Sequence, residues 1–548
     1  MRLLGALLYG LAICAVLTTA AWATIDVLGY PAPPSRPERS TGHGFRLERQ
    51  GQHVVHVTGD PYTLGFENSR LLAPYMAAQE EELMDMLFAF AKTPAKALLL
   101  RQVSLLYLAG FDQFLTLPER QEILGLAEGA PDPIPSLGHR YGRLAAYHAI
   151  HELSHRFAFD NPLFACSLIG VSSRRGLDGH TLLARNFDFE GGDAFDQHKI
   201  VLAIRPETGF GFVAVTWSGM AGVVSGINEK GLAIVINAGA SADYRRVGTP
   251  TTLLVRRALE QASTIDEAAT VLTSAPPFIT DILGLADRSG RVAVLELTPK
   301  RHALRTGQVV LATNHLEAEN LKDDAVSLAR ARTTTTVQRR RRLTTLVEEH
   351  PEPLGPIQLL AMLRDRAAAG GAGLPLGHRH AIDALIATHS VIFDATAGRV
   401  YVSVGPHTLG KYLGYDVSRL LAANDEPQAR GAFVDELPGD PLLAAYPLVR
   451  QARQDLPRAY ASLRSGDLLR TAVLLKGISR VMPDHPATLR LKGLLAAARG
   501  EPRWARSLLT AALEAPPEYA GEAEAIAADL QALGPLAPTS PDARGEPF

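Results

Sequence analysis

Outside an apolar N-terminal run the chain carries one cysteine, Cys166, in the context Phe164-Ala165-Cys166-Ser167. The second of its two cysteines, Cys14, lies inside that run. A form exported past the run would hold one thiol and no internal disulfide, so its fold rests on packing alone. A lone thiol in an oxidising compartment is a liability unless chemistry needs it. The plain alternative is a buried, inert core cysteine. With 47% apolar and 20% charged residues the chain is globular with ample core, and 548 residues suggest two or three domains. A formal net charge of -2, with no basic stripe interleaved with aromatics, argues against nucleic acid as a partner.

Met1-Arg2 is followed by an uncharged run from Leu3 to about Thr24, with Ala21-Trp22-Ala23 as a small-x-small cleavage site. The run is long enough to span a bilayer if it stays uncut. Residues 1–24 are therefore expected to be a signal peptide or a signal anchor. The rest is expected to be exported to a periplasmic or other extracytoplasmic space, because no second run of spanning length follows. Bulky Ile13 before Cys14 argues against lipidation.

A strand-like run, Gln52–Val57, and a turn at Thr58-Gly59-Asp60-Pro61 precede a mainly helical pattern that reaches about Ala158. From Cys166 onward short strand patterns alternate with turn signals: Ile200–Ile204, Gly211–Trp217, Gly222–Ile227, Leu232–Asn237, Ile282–Ala286, Val292–Leu297 and Val309–Thr313. A late hairpin joins Ser390–Phe393 to Arg399–Val404, and helical runs intervene at Thr251–Ala262, Thr264–Thr273 and Thr335–His350. Such blocks imply an α+β fold rather than an alternating parallel sheet. The C-terminal part is nearly all helix formers. The pairs Gly466/Gly500, Ala472/Ala505 and Pro483/Pro516 step by about 34 residues, the tetratricopeptide period. Two unrelated helix pairs would give a similar pattern. So few repeats must pack on the rest of the chain or on a protein partner. The expected division is a leader at 1–24, an N-terminal proregion or small subunit at 25–165 and a core at 166–420. A linker at 421–440, tetratricopeptide-like helices at 441–533 and a disordered tail at 534–548 follow.

Several motifs follow the cysteine in order. Cys166-Ser167 precedes Gly179-His180-Thr181 and Ala184-Arg185-Asn186-Phe187-Asp188. Ile227-Asn228-Glu229-Lys230-Gly231-Leu232 runs on to Ile236-Asn237; later come Ala312-Thr313-Asn314-His315 and Thr336-x-x-Arg339-x-x-Arg342. Together they resemble the N-terminal-nucleophile amidohydrolases, in the autoproteolytic cysteine branch of choloylglycine hydrolases, penicillin V acylases and isopenicillin-N acyltransferase. The resemblance spans about Thr58 to Gly405 and implies a four-layer αββα core. It implies an exported enzyme that cleaves a linear acyl amide, or transfers its acyl group, through a Cys166 acyl-enzyme, with a small-molecule acyl amide as substrate and no cofactor or metal.

The chemistry asks for these residue types. A free thiol titrates near about 8.5 and an α-amine near roughly 7.7–8.0. Cleavage between Ala165 and Cys166 would put nucleophile and base on one residue. Arg185 can lower the thiol pKa, Asp188 can hold the amine, and Asn237 can donate to the developing oxyanion, a contribution of roughly 3–4 kcal/mol. By resemblance Asn314 orients the nucleophile or substrate and Arg339 completes the polar network. Arg185 and Asp188 can equally form a surface pair. Asn237 and Asn314 can simply satisfy strand-end backbone groups. Arg339 lies in the run Arg339–Arg342, which also suits a solvated helix face, and Arg330, Arg332 or Arg342 can take its place. Phe164-Ala165 is not the glycine-preceded junction of some relatives, and Ser167 is a second candidate nucleophile beside the Cys166 thiol. The proregion, with core-like apolar helices, is expected to stay docked after cleavage.

Two other classes compete. His151-Glu152-Leu153-Ser154-His155 is an H-E-x-x-H sequence of the kind a zinc metalloprotease uses. No Gly-x-x-His continuation follows it. A non-catalytic envelope scaffold acting through its helical repeats is the other, marked by an uncut chain with an unreactive Cys166.

Overall fold

The computed structural model describes residues 30–157, 164–190 and 193–534. The expected leader with Cys14, and the tail after Gly534, lie outside the described residues. Among those described, no helix is long and apolar enough to cross a membrane.

Two sheets carry the core. The first runs β1 (Gly42–Arg49), β2 (Gln52–Gly59), β5 (Lys199–Pro206), β6 (Phe212–Trp217), β7 (Ser225–Asn228), β8 (Ala233–Ala238), β9 (Asp281–Ala286), β10 (Val292–Leu297) and β11 (His302–Thr306). The second runs β12 (Val309–Ala312), β3 (Ser167–Val171), β4 (Leu182–Asp188), β13 (Ala387–Asp394), β14 (Arg399–Ser403), β15 (Tyr412–Asp416) and β16 (Phe433–Leu437). All named pairings are antiparallel except β2 with β5. The sheets face one another across a core that includes Val54, Val201 and Val294 from one and Leu168, Leu183 and Phe393 from the other.

Helices cover the outer faces. Pro61–Ala91, Thr251–Gln261 and Ile265–Thr273 pack on the first sheet through Leu72, Leu254 and Ile265. Thr336–Glu349 and Pro356–Leu363 pack on the second through Leu343 and Leu360. Covered on both faces, β3, β4, β8 and β13 are buried along their whole length; β3 and β8 are mostly apolar, whereas β4 and β13 also bury Arg185, Asn186, Asp188, His389 and Ser390. Edge strand β11 alternates between exposed and half-buried residues.

The N-terminal helices form a third packed body. Pro61–Ala91 crosses Leu117–Glu128 so closely that a Cβ on Gly65 would collide with the Glu122 carbonyl, and one on Gly125 with that of Tyr62. Ile123, Tyr141 and Leu144 bury themselves there against Leu253 and Phe278 of the core.

Residues 421–440, expected to be a linker, are folded. The helix Glu426–Arg430 leads into β16, which pairs with β15 and closes the edge of the second sheet. Gly222–Ile227 was expected to be strand throughout, but the strand begins only at Ser225. Gly222 lies against Thr252, and the Val223 N–H donates to the Thr252 carbonyl across a loop. Beyond residue 445 come five helices: Tyr446–Arg464, Leu468–Val481, Pro486–Ala498, Pro502–Glu514 and Ala520–Ala532. Gly466 and Gly500 both turn with φ +79° between successive helices, where side chains are strained.

Candidate active site

Cys166 immediately precedes β3, and the expected site residues come from four other elements. Strand β4 brings Arg185 and Asp188, because β3 and β4 pair with Ser167 opposite Asn186. The end of β8 brings Asn237, the end of β12 brings Asn314, and the helix Thr336–Glu349 brings Arg339. Cys166, Arg185 and Asn237 are fully buried, and Asp188 and Arg339 are 1% exposed.

Arg339 is the hub. Its Nη1 donates to the Cys166 carbonyl (2.6 Å) and to Ser167 Oγ (3.1 Å), and its Nη2 donates to Asn314 Oδ1 (2.8 Å). Thr336, Arg339, Arg342, Leu343 and Leu346 are the buried residues of their helix, and of the two arginines Arg339 is the one that reaches the Cys166 carbonyl. Arg340 pairs with Glu317 and Arg342 with Asp365, both at the helix flank.

Arg185 lies with Nη2 3.9 Å from Cys166 Sγ. Its guanidinium is held by Ser225 Oγ (2.8 Å), the Val224 carbonyl (3.2 Å), the Ile236 carbonyl and the face of Phe187. It is therefore a buried, positioned cation and not half of a surface pair. Asn237 Nδ2 donates to the Thr313 carbonyl (3.2 Å), and Asn314 Nδ2 donates to the Ala238 carbonyl (2.9 Å). Both asparagines thus tie strand ends together while lying beside the thiol network. Asn237 Oδ1 and Asp188 Oδ2 are buried with no hydrogen-bond partner among the described residues.

The electrostatics follow from burial. Desolvation pushes the Asp188 carboxyl up to about 7, against the pull of Arg339. Burial pulls the Arg185 and Arg339 guanidinium groups down to about 10, so both stay charged at neutral pH. Burial also raises the Cys166 thiol pKa in the intact chain, with Arg185 opposing it. Two fixed cations beside one carboxylate favour a thiolate or an oxyanion at this spot.

Some members of the site leave no local trace in the sequence. His389 on β13 reaches Ser225 Oγ (3.0 Å) and Arg185 Nη1 (3.3 Å) and stacks on Phe187 with ring centroids 5.2 Å apart. Burial and Arg185 keep it neutral. Arg379 pairs with Glu190 and acts on the charge of Asp188. Nothing in the spacing around either residue signals this contact; for His389 alone, a titratable side chain inside an apolar stretch was an available hint.

The Asn228–Gly231 motif proves to be a hairpin device. Asn228 Oδ1 accepts from the Lys230 and Leu232 N–H groups, and its Nδ2 donates to the Leu259 and Ala262 carbonyls. Gly231, at φ +85°, leaves room for the Ala395 carbonyl.

Of the H-E-x-x-H residues, His151 Nε2 lies 3.1 Å from Asp281 Oδ1, and Glu152 Oε1 accepts from the N–H of Thr251 at the start of a helix. Both are buried and engaged within the fold. The side chain of His155 lies outside the described residues.

Beside Cys166 lies an apolar cavity of about 160 Å³ walled by Phe164, Phe187, Phe189, Phe195, Trp217 and Met220. Phe187, Phe195 and Trp217 pack directly with Cys166 in one cluster.

A cysteine just before a strand, with buried arginines, an aspartate and an asparagine-bearing strand end near it, is an arrangement suited to nucleophilic acyl transfer. Residues 175–408 match the family described as acyl-coenzyme A:6-aminopenicillanic acid acyl-transferase. A curated relative, an uncharacterized protein of Archaeoglobus fulgidus, is 22% identical over 269 residues, covering 46% of this chain and 45% of that protein. The chain thus spans under half the length of that relative. Solved structures it is similar to include penicillin V acylase from Agrobacterium tumefaciens (17% identity, 50% of this chain and 98% of that one, TM-score 0.31). An N-acylethanolamine-hydrolyzing acid amidase ortholog of Caenorhabditis elegans matches at 14% identity (42% and 93% covered, TM-score 0.30). A mutant conjugated bile acid hydrolase from Clostridium perfringens matches at 14% (44% and 88%, TM-score 0.29). Scores of this size decide nothing further about activity.

Proposed function

We propose that this is an exported, self-cleaving cysteine amidohydrolase or acyltransferase that acts on a linear acyl amide through a Cys166 acyl-enzyme. In this reading the core is a four-layer αββα domain, and the helices after residue 445 are tetratricopeptide-like. The N-terminal run serves as signal or membrane anchor. The observation that carries the reading is the buried, unpartnered Asp188 Oδ2 in a pocket that also holds Cys166 and two arginines. A buried carboxylate oxygen with no hydrogen bond has room for one further donor, even with Arg185 and Arg339 acting on its charge. The α-ammonium released by cutting Ala165–Cys166 is a cation on the same residue as the thiol.

Self-cleavage proceeds in balanced steps. Cys166 Sγ attacks the Ala165 carbonyl carbon, the peptide nitrogen leaves as the α-amine of Cys166, and water then hydrolyses the thioester to an Ala165 carboxylate. In turnover the α-amine accepts the thiol proton, Sγ attacks the substrate amide carbon, and the ammonium returns the proton to the leaving amine. Water, or an acceptor amine in the transfer reaction, releases the acyl group. Asn237 Nδ2 supplies a donor to the developing oxyanion. Arg185 favours the thiolate, and Arg339 and Asn314 hold the Cys166 main chain in place.

Mass spectrometry of purified protein tests the reading. The expected result is a fragment beginning at Cys166, absent from Cys166→Ala together with turnover. An active preparation consisting of one intact chain would overturn it.

A further inference from the structure

Arg185 is gripped at one end by two side chains that the chemistry so far leaves unused. Strands β4 and β13 pair with Phe187 opposite His389, and residues two apart on a strand share a face. Arg185, Phe187 and His389 therefore lie on one side of the second sheet. Ser225 comes across from β7 of the first sheet. Arg185, Ser225 and His389 are all fully buried. The pairing register shifts between Ala387 and His389, and Thr388 Oγ1 donates there to the Phe187 carbonyl (3.1 Å), which pins the strand next to the histidine.

The donors fix where the protons of this cluster lie. A guanidinium nitrogen only donates, so His389 Nε2, 3.3 Å from Arg185 Nη1, is the bare nitrogen of its ring. Ser225 Oγ accepts from Nη1 (2.8 Å) and lies 3.0 Å from the same Nε2, to which its own proton is free to donate. The ring proton then sits on Nδ1, which is buried with no hydrogen-bond partner among the described residues. Arg185 Nε is also buried without one, so the setting of the guanidinium rests on its two ends. Ser225, His389 and the Val224 carbonyl hold Nη1, and Nη2 is the end 3.9 Å from Cys166 Sγ.

We propose that His389 and Ser225 are positioning residues for Arg185: a neutral, Nδ1-protonated imidazole and the hydroxyl beside it pin Nη1 and so keep Nη2 at the thiol. Coulombic attraction falls with distance, so a guanidinium free to swing would stabilise the Cys166 thiolate less. A neutral acceptor also suits the place better than a carboxylate, which would cancel the charge that Arg185 brings. The part given to Cys166 rests on the amidohydrolase reading above; the placement of the protons does not.

Two measurements on the full-length protein test this. The first is the rate of iodoacetamide labelling at Cys166 against pH, followed on its own peptide by mass spectrometry so that Cys14 does not interfere. His389→Leu keeps the bulk and removes the acceptor. It is expected to raise the pH of half-maximal labelling by about one unit, an about tenfold slower reaction at neutral pH. Ser225→Ala is a smaller change expected to move the profile the same way, so the test survives misfolding of the leucine variant. His389→Gln restores an acceptor and is expected to restore the wild-type profile. The second measurement reads the ring itself, by nitrogen-15 spectra of histidine-labelled protein at neutral pH, with the His389 signal identified by its absence from His389→Gln. A proton on Nδ1 and a bare Nε2 are expected. Unshifted labelling in His389→Leu and Ser225→Ala, or an Nε2–H or doubly protonated ring, overturns the positioning role and leaves the enzyme reading standing. Wild-type protein neither labelled at Cys166 nor active on any acyl amide overturns the enzyme reading, and the spectra still decide the proton placement.

Discussion

Asp188 concentrates the physics of the site in one carboxyl group. In the intact chain it is buried beside Arg185 and Arg339, yet burial wins and holds its pKa at about 7, against an ordinary value near 3.8. A carboxyl whose folded pKa is raised binds a proton more tightly when folded. Its stabilising contribution is therefore complete below about pH 4 and is lost as pH rises toward about 7. In a Cys166→Ala background, which keeps the chain uncut, Asp188→Asn is expected to raise the melting temperature at pH 8 and to leave it unchanged at pH 4. Thermal unfolding at the two pH values checks this; equal shifts at both would show that the charge at Asp188 is already compensated. In the proposed cut form, the α-ammonium of Cys166 would supply that compensation, and the same substitution is expected to cost activity instead.

Among the elements, the helix Tyr446–Arg464 does more than begin the C-terminal array. Its Arg453 donates to the carbonyls of Leu385 (2.5 Å), Ala384 (2.5 Å) and Gly377 (3.2 Å), fixing a loop that has no ladder of its own. The same loop carries Arg379, whose N–H donates to Glu518 (2.6 Å) and whose guanidinium pairs with Glu190. Ala384 and Ile386 from this loop pack on Ala165, next to the expected cut. Arg453→Met keeps the aliphatic stem and removes the donors, and is expected to cost about 3 kcal/mol, the range for lost hydrogen bonds to a charged group. Denaturant unfolding measures the cost, and proteolysis within residues 376–386 should quicken in parallel. Legibility differed by element for a physical reason. Strand β8, covered on both faces, shows as an apolar run, whereas β4, equally covered, carries Arg185, Asn186 and Asp188 and does not. Edge strands β1 and β16 bury little: only Leu47 in β1 and Leu437 in β16 are fully buried, so neither left a pattern to read. That is why residues 421–440 passed for a linker.

At the scale of the whole molecule, the C-terminal helices and the core share buried surface. Leu385 and Leu409 of the core pack against Tyr446 and Val449, and His378 Nε2 lies 2.8 Å from the Pro516 carbonyl. A chain ended at Gly439 would expose Leu385 and Leu409 and strip the 376–386 loop of Arg453 and Glu518. It is expected to aggregate, or to melt at least ~5 °C lower with slower self-cleavage. Differential scanning calorimetry and a cleavage time course check this, and an unchanged melting temperature would make the helices an independent module.

Residue order alone determined the chemistry on offer: one thiol, the Arg185–Asp188 pair, the two asparagines and an arginine-rich helix, strung along the chain as in the resembled family. Local periodicity determined most helices and strands such as β8, because burial on a repeating face writes itself into neighbouring residues. Only the tertiary structure decided that Arg339, and not Arg340 or Arg342, faces Cys166, that His389 and Arg379 join the site, and that Phe187, Phe195 and Trp217 close on Cys166. Those facts depend on residues far apart in sequence arriving at one place, and the balance of desolvation against charge there exists only once the sheets have closed over them.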